Sequence, residues 1–137
     1  MNTNLIITGG RLVDGNTDEH LDIGIADGRI VELAQPGELA LQGEAVDADG
    51  AYVMPGLVDI QVHFRTPGGE ESEDIQSGAQ GAALGGVTAC VMMPNTVPTI
   101  DNVAIVEDIK ALSLGVPCDL HSSAAITVNR EGERLVN

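Results

Sequence analysis

The sequence predicts an α/β protein in two parts, a small β-unit followed by strands and helices that alternate along one parallel sheet. Three observations carry this prediction. Short β-like runs separated by turn dipeptides occupy the chain up to Pro55. From residue 57 onward, apolar runs of strand length alternate with segments of helical period. The resulting order, β-α-β-α-β, is typical of parallel strands joined by helical crossovers. The predicted domains are therefore residues 1–55 and 56–137.

The first part contains five short apolar runs, at residues 5–8, 21–26, 29–33, 44–47 and 51–54. Asp27 and Gly28 separate two of these runs and predict a two-residue hairpin turn, because both residue types accept a positive φ. Further turns are predicted at Gly9-Gly10, Asp14-Gly15 and Asp49-Gly50. This pattern favours a β-meander or part of a β-sandwich.

The second part begins with a strand at residues 57–64, followed by a helix at 70–84 whose first turn is acidic and whose end is marked by Gly85-Gly86. Residues 87–93 form a nearly continuous apolar run, as expected of a parallel strand buried on both faces. A second helix is predicted at 100–114 and a third strand at 118–126. The sequence therefore predicts three parallel strands with two helical crossovers.

Charge and composition exclude several classes of function. The formal net charge is −15 with only six basic residues, so nucleic acid and anionic membranes are not expected partners. Cys90 and Cys118 lack CxxC spacing and are predicted to be reduced thiols. No apolar run approaches the length of about 20 residues that crosses a bilayer, and the N-terminus lacks a signal-peptide pattern. The expected location is the cytoplasm.

A group of polar residues lies along the strand at residues 57–64. Strict alternation would place Asp59, Gln61, His63 and Arg65 on one face, and the apolar residues 60, 62 and 64 on the other, against helices. Asn95 follows the next strand and is predicted at the same rim. From spacing alone, the single His is more often structural, and Asn95 is more often a turn residue that caps the next helix.

The stretches PGLVDIQVHFRTPGG, GGVT and MPNTVP resemble the N-terminal block of the dihydroorotases, cyclic amidohydrolases of the amidohydrolase superfamily. Their pattern is approximately PGxxDxHxHxREPG, then GG.T, then MPNTxP. The resemblance implies that residues 1–55 are part of a composite β-sandwich. It also implies that residues 56–137 are the first three β/α units of a TIM barrel. A complete barrel needs about 250 residues, so this one would be incomplete.

The same resemblance implies reversible hydrolysis of dihydroorotate to N-carbamoyl-aspartate, in pyrimidine biosynthesis, at a binuclear zinc site. His63 matches a metal ligand, and Asp59 matches a residue close to the metal. Arg65 and Asn95 match the groups that bind the substrate carboxylate, a task that suits a two-pronged guanidinium. The catalytic residues are expected beyond residue 137, so the chain by itself is expected to be inactive.

Two positions depart from the family pattern. Gln61 occupies the place of the first His, and a neutral amide is a far weaker zinc ligand than imidazole. Thr66 replaces the usual Glu. Two alternatives therefore stay open: a non-catalytic homologue that serves as a structural partner of aspartate carbamoyltransferase, and another cyclic amidohydrolase such as an allantoinase. A homo-oligomer is a further expected assembly.

Overall fold

The computed structural model describes residues 3–40 and 43–136. The chain folds into two compact units, one that ends at Pro55 and one that begins at Gly56. Each unit has its own sheets and its own buried residues. The identification of the first unit with a sandwich-like domain, and of the second with part of a barrel, stays a prediction.

Two mixed sheets make up the described part of the first unit. One has the strand order β5-β4-β1-β6 and the other β3-β2-β7. The bounds are β1 Leu5–Thr8, β2 Arg11–Val13, β3 Asp18–His20, β4 Asp22–Ala26, β5 Arg29–Ala34, β6 Glu44–Asp47 and β7 Tyr52–Val53. The predicted meander is wrong, because β6 runs parallel to β1 and β7 runs parallel to β2. Strands β2 and β3 were not predicted, since each spans only three residues.

The predicted hairpin at Asp27-Gly28 is confirmed. Strands β4 and β5 pair antiparallel on either side of it. Asp27 has a φ of 50° and Gly28 a φ of 71°, the left-handed pair that a tight two-residue turn requires. At the start of β4, the buried carboxylate of Asp22 accepts hydrogen bonds from the backbone N–H groups of Gly9 and Gly37, at 3.1 and 2.7 Å. Burial of this charge is tolerated because both of its oxygens are hydrogen-bonded.

Three parallel strands and two helices form the second unit, as the sequence predicted. The bounds are β8 Leu57–Val62, α1 Ile75–Leu84, β9 Val87–Met92, α2 Val103–Leu112 and β10 Asp119–Ser122. The sheet order is β10-β9-β8, and both pairings are parallel. Across residues 3–40 and 43–136, no helix has the length and apolar character required to cross a bilayer.

Side-chain caps set the helix starts later than the sequence predicted. Helix α1 begins at Ile75 rather than at residue 70, because Asp74 accepts a hydrogen bond from the Ser77 N–H at 2.7 Å in a capping box. Helix α2 begins at Val103 because Asn102 accepts from the Ile105 N–H at 3.1 Å. The predicted ends at residues 114 and 126 are also too long, since α2 stops at Leu112 and β10 at Ser122.

The core of the second unit lies between its sheet and its helices. Its most deeply buried members are Ala79, Cys90, Met92 and Ile100, each 0% exposed. Both cysteines are free. Burial, with a contribution from the neighbouring Cys118 thiol, raises the pKa of Cys90 to about 11. The Cys90 thiol is therefore protonated and poorly nucleophilic at neutral pH.

Two glycines of α1 give a matched pair of stability measurements. A Cβ at Gly78 would lie 2.5 Å from the Phe64 ring carbon Cδ1, whereas one at Gly81 would meet nothing within 4 Å. We expect Gly78→Ala to lower the free energy of unfolding by about 1–3 kcal/mol, because the helix must move off Phe64. Gly81→Ala should raise it by about 0.5–1 kcal/mol through helix propensity. Chemical denaturation of both variants checks this, and equal effects would contradict the close packing on Phe64.

Part of the apolar face of β8 is exposed. Val58 is 63% exposed and Ile60 71% exposed, and only Val62 and Phe64 reach the core. The prediction that this whole face packs against helices is therefore wrong for the first half of the strand. Within the described residues β8 pairs on one edge only, with β9.

We expect the isolated chain to be self-associated or unstable, because an apolar strand with an unpaired edge is a template for association. Analytical ultracentrifugation combined with a thermal melt measures both properties. A dilute monomer that melts cooperatively and sharply would contradict the expectation. Val58→Thr with Ile60→Lys should reduce association while leaving the buried residues unchanged.

Candidate active site

The carboxyl ends of β8 and β9 bring two of the predicted site residues together. The Met93 N–H donates to the Val62 carbonyl at 2.9 Å, so the two strands end side by side. His63 and Asn95 follow directly, and His63 Nδ1 lies 2.9 Å from Asn95 Oδ1. The sequence predicted that both residues share one rim. It did not predict the bond, which joins positions 32 residues apart.

A register shift separates Asp59 from His63 along β8. Asp59 pairs with Cys90 and Val62 with Met92, so β8 contains one extra residue between these pairs. An extra residue reverses the alternation of side chains, and strict alternation from Asp59 to Arg65 is therefore wrong. Asp59 Oδ1 accepts a hydrogen bond from the Gln61 N–H at 2.9 Å. The Asp59 carboxylate thus accepts a hydrogen bond from the backbone of its own strand.

The turn after His63 is hydrogen-bonded to the loop that contains Asn95. The Val97 N–H donates to the Pro67 carbonyl at 3.0 Å. Gly68 has a φ of 91°, and a Cβ there would collide with the Val97 carbonyl oxygen. Only glycine therefore permits this close approach of the two loops.

A cavity of about 180 Å³ lies between the two loops, lined by residues 65, 67–69 and 95–97. Most of its polar groups already have partners: Thr96 Oγ1 donates to the Pro98 carbonyl, and the Gly68 N–H donates to Glu70. Two side-chain donors remain without a partner in the described part of the chain, the Arg65 guanidinium and Asn95 Nδ2. A cation beside a neutral N–H donor is suited to a ligand carboxylate.

The acids nearest to Arg65 in sequence are engaged elsewhere. Both carboxylate oxygens of Glu70 lie 2.9 Å from the Gly68 nitrogen, and Asp59 accepts from Gln61. The ion pairs found among residues 3–40 and 43–136 join Arg11 to Asp18 and Lys110 to Glu107. Arg65 is exposed and is not held by a structural salt bridge. Its charge is therefore available to a ligand.

The described residues do not by themselves fit a zinc ion. No group of three or more His, Cys, Asp or Glu side chains among them is placed to hold a metal. At the predicted position the chain offers one imidazole, His63, and one neutral amide, Gln61. Zinc sites in proteins take at least three strong nitrogen, sulfur or carboxylate ligands.

Thr66, the second departure from the family pattern, faces away from solvent. It is 8% exposed, and its hydroxyl has no hydrogen-bond partner within the described residues. No feature of the sequence predicted this burial. Thr66 therefore carries an unsatisfied polar atom directly beside the site.

Residues 50–137 match the sequence model of the family described as "Dihydro-orotase-like". The chain is 42% identical to a dihydroorotase of Trichlorobacter lovleyi over an alignment of 136 positions, which covers 96% of this chain and 32% of that protein. It is 45% identical to a dihydroorotase of Citrifermentans bemidjiense over an alignment of 137 positions, which again covers 96% of this chain and 32% of the relative. The chain thus spans about a third of the length of the curated relatives it matches.

Solved structures give the same fold. An L-hydantoinase (dihydropyrimidinase) from Arthrobacter aurescens superposes with a TM-score of 0.80 at 23% identity, over 91% of this chain and 28% of the hydantoinase. A D-hydantoinase (dihydropyrimidinase) from a Thermus species superposes with a TM-score of 0.70 at 26% identity, over 90% and 28% of the two chains.

Proposed function

This chain belongs to the dihydro-orotase-like family, and we propose that it is the substrate-binding N-terminal part of a hydrolase that interconverts dihydroorotate and N-carbamoyl-aspartate. Both compounds carry a carboxylate that takes no part in the amide that is broken or formed. The observation that supports the proposal most directly is the pair of unpartnered donors, Arg65 and Asn95, on one cavity in the described part of the chain.

In this proposal Arg65 and Asn95 hold the substrate carboxylate. The guanidinium offers two parallel N–H bonds to the carboxylate oxygens, and the Asn95 amide adds a third from the neighbouring strand. Fixing the carboxylate fixes the orientation of the ring, and orientation alone contributes substantially to the rate of such reactions. The net charge of −15 makes the local positive charge of Arg65 necessary for an anionic substrate.

We propose that a zinc ion held in the whole enzyme would supply Lewis-acid chemistry for the amide carbonyl and for water. This chain would supply one ligand, His63, with Asp59 close by and with Gln61 at a position that the family fills with His. The other ligands and the catalytic residues would lie in the part of the whole enzyme that corresponds to the unmatched two thirds of its relatives.

We further propose that the first unit is part of a composite β-sandwich, and that β8, α1, β9, α2 and β10 belong to an incomplete TIM barrel. Residues 1–55 and 56–137 are the corresponding domains. Two free, buried cysteines fit a reducing compartment, and we place the protein in the cytoplasm.

Gln61 supports a second candidate function. A homologue that has lost a zinc ligand could serve as a structural partner of aspartate carbamoyltransferase rather than as an enzyme. The absence of an acid partner for Arg65 in the described residues favours the enzyme, since a scaffold does not require an open carboxylate-binding group.

A chimeric enzyme tests the proposal, with this chain in place of the corresponding third of the Trichlorobacter lovleyi dihydroorotase. We expect zinc-supplemented chimera to hydrolyse dihydroorotate, measured by chromatographic detection of N-carbamoyl-aspartate. A folded chimera without turnover, in which Gln61→His also fails to restore it, would contradict the proposed function. Co-purification of that inactive chimera with aspartate carbamoyltransferase would support the second candidate.

A further inference from the structure

The contact between His63 and Asn95 fixes which way the Asn95 amide points. Asn95 Oδ1 is an acceptor only, so the His63 Nδ1 atom, 2.9 Å away, must carry the proton of this bond. The oxygen and nitrogen of a planar amide lie on opposite sides of its Cγ atom. Holding Oδ1 against His63 therefore directs Nδ2 away from the ring.

This orientation decides whether the cavity can bind an anion. Asn95 lines the cavity together with Arg65. With Oδ1 on His63, Asn95 offers the cavity two N–H donors. With the amide reversed, it would present an oxygen, which repels a carboxylate. A donor in place of an acceptor changes the local interaction from repulsive to attractive.

We propose that His63 is a positioning residue for carboxylate binding. It orients the Asn95 amide so that Asn95 Nδ2 and the Arg65 guanidinium both donate hydrogen bonds to one carboxylate. This role requires no bound metal. The identity of the ligand, N-carbamoyl-aspartate, rests on the proposed function. The positioning role itself rests on the 2.9 Å contact and on the two open donors.

The role gives His63 a function in a chain where Gln61 leaves the metal site incomplete. His63 Nδ1 is the atom engaged with Asn95, so Nε2 stays available to a metal in the whole enzyme. A metal function and a positioning function use different atoms of the same ring, and they can therefore be separated by substitution.

The experiment uses the full chain after treatment with a chelator, with calorimetric titration of N-carbamoyl-L-aspartate, succinate and the neutral control succinamide. His63→Asn keeps an N–H donor near the position of Nδ1 but removes the imidazole, and His63→Leu removes the donor. We expect wild type to bind both acids but not succinamide. His63→Leu should weaken binding about tenfold, the effect of one charge-assisted hydrogen bond, and His63→Asn should stay within about twofold.

The outcomes separate this role from the proposed reaction. Binding of succinate without N-carbamoyl-aspartate, with the expected loss of succinate affinity in His63→Leu, would refute the reaction and support the positioning role. The positioning role would be overturned by unchanged affinity in His63→Leu, by equal losses in both variants, or by no binding to the chelated wild type.

If the variants do not fold, ¹⁵N-histidine spectra of the wild type test the role instead, and the chain has only three His to assign. The proposal requires the neutral His63 ring to be protonated at Nδ1, and protonation at Nε2 would refute it.

Discussion

Zinc affinity of the chimeric enzyme should rise by about 10–100-fold or more when Gln61 is replaced by His. Even the loss of an outer-shell partner changes metal affinity by about 10–100-fold, and a direct ligand contributes at least as much. Gln61 lies on β8, two positions after Asp59, and His63 follows two positions later, just beyond the end of the strand at the rim. An imidazole at position 61 would give zinc a second strong ligand from this chain.

Elemental analysis after dialysis against a mild chelator measures the zinc content. The matched control is Gln80→His, the same exchange at an exposed position of α1. It should leave the zinc content unchanged. If Gln61→His and Gln80→His gave the same zinc content as the parent chimera, position 61 would not lie in the metal site, and the alignment of VDIQVHFR with the family motif would be wrong there.

The second large effect concerns Arg65. We expect Arg65→Lys to lower kcat/KM of the chimera for dihydroorotate by about 10–100-fold, which corresponds to about 1–3 kcal/mol. Lys keeps the positive charge but cannot donate two parallel hydrogen bonds to one carboxylate. Stability should hardly change, because Arg65 is exposed and has no ion pair in the described part of the chain.

Steady-state kinetics and a thermal melt on the same samples test both statements. Arg29→Lys, on β5 in the first unit, is the control for a lost guanidinium and should leave both measurements unchanged. A lower melting temperature with intact kcat/KM in Arg65→Lys would make Arg65 a structural residue. In that case the site would lose its carboxylate-binding group.

Local signals predicted the parts of the fold that depend on local chemistry. The Asp27-Gly28 turn and the end of α1 at Gly85-Gly86, where Gly86 has a φ of 82°, are set by residues whose φ preferences are visible in the sequence. The start of α1 was misplaced because acidic residues suit both a helix N-terminus and a preceding turn. In the structure Glu70 turns back onto Gly68, and Asp74 is the cap.

At the candidate site, the alternation of side chains along a strand does not predict which residues share a face. The extra residue in β8 depends on the pairing with β9 and on the bond from Gln61 N–H to Asp59, neither of which the sequence displays. The contact between His63 and Asn95 likewise depends on two loops that meet only after the strands have paired. The resemblance to a family named these residues, but their mutual geometry came from the fold.

Selectivity for a substrate that carries a carboxylate is the sharpest test of the site. Dihydrouracil is dihydroorotate without the carboxylate. If Arg65 and Asn95 bind that carboxylate, the chimera must distinguish the two compounds, and truncation of Arg65 must weaken the distinction.

The ratio of kcat/KM for dihydroorotate to kcat/KM for dihydrouracil is therefore the most direct measurement, made for the chimera and for its Arg65→Met variant. We expect the ratio to favour dihydroorotate by about a hundredfold or more, the value of two charge-assisted hydrogen bonds, and to fall by at least about tenfold in Arg65→Met, where Asn95 alone binds the carboxylate. A ratio near unity in the parent chimera, or a high ratio that Arg65→Met leaves unchanged, would contradict the assignment of this site to a substrate carboxylate.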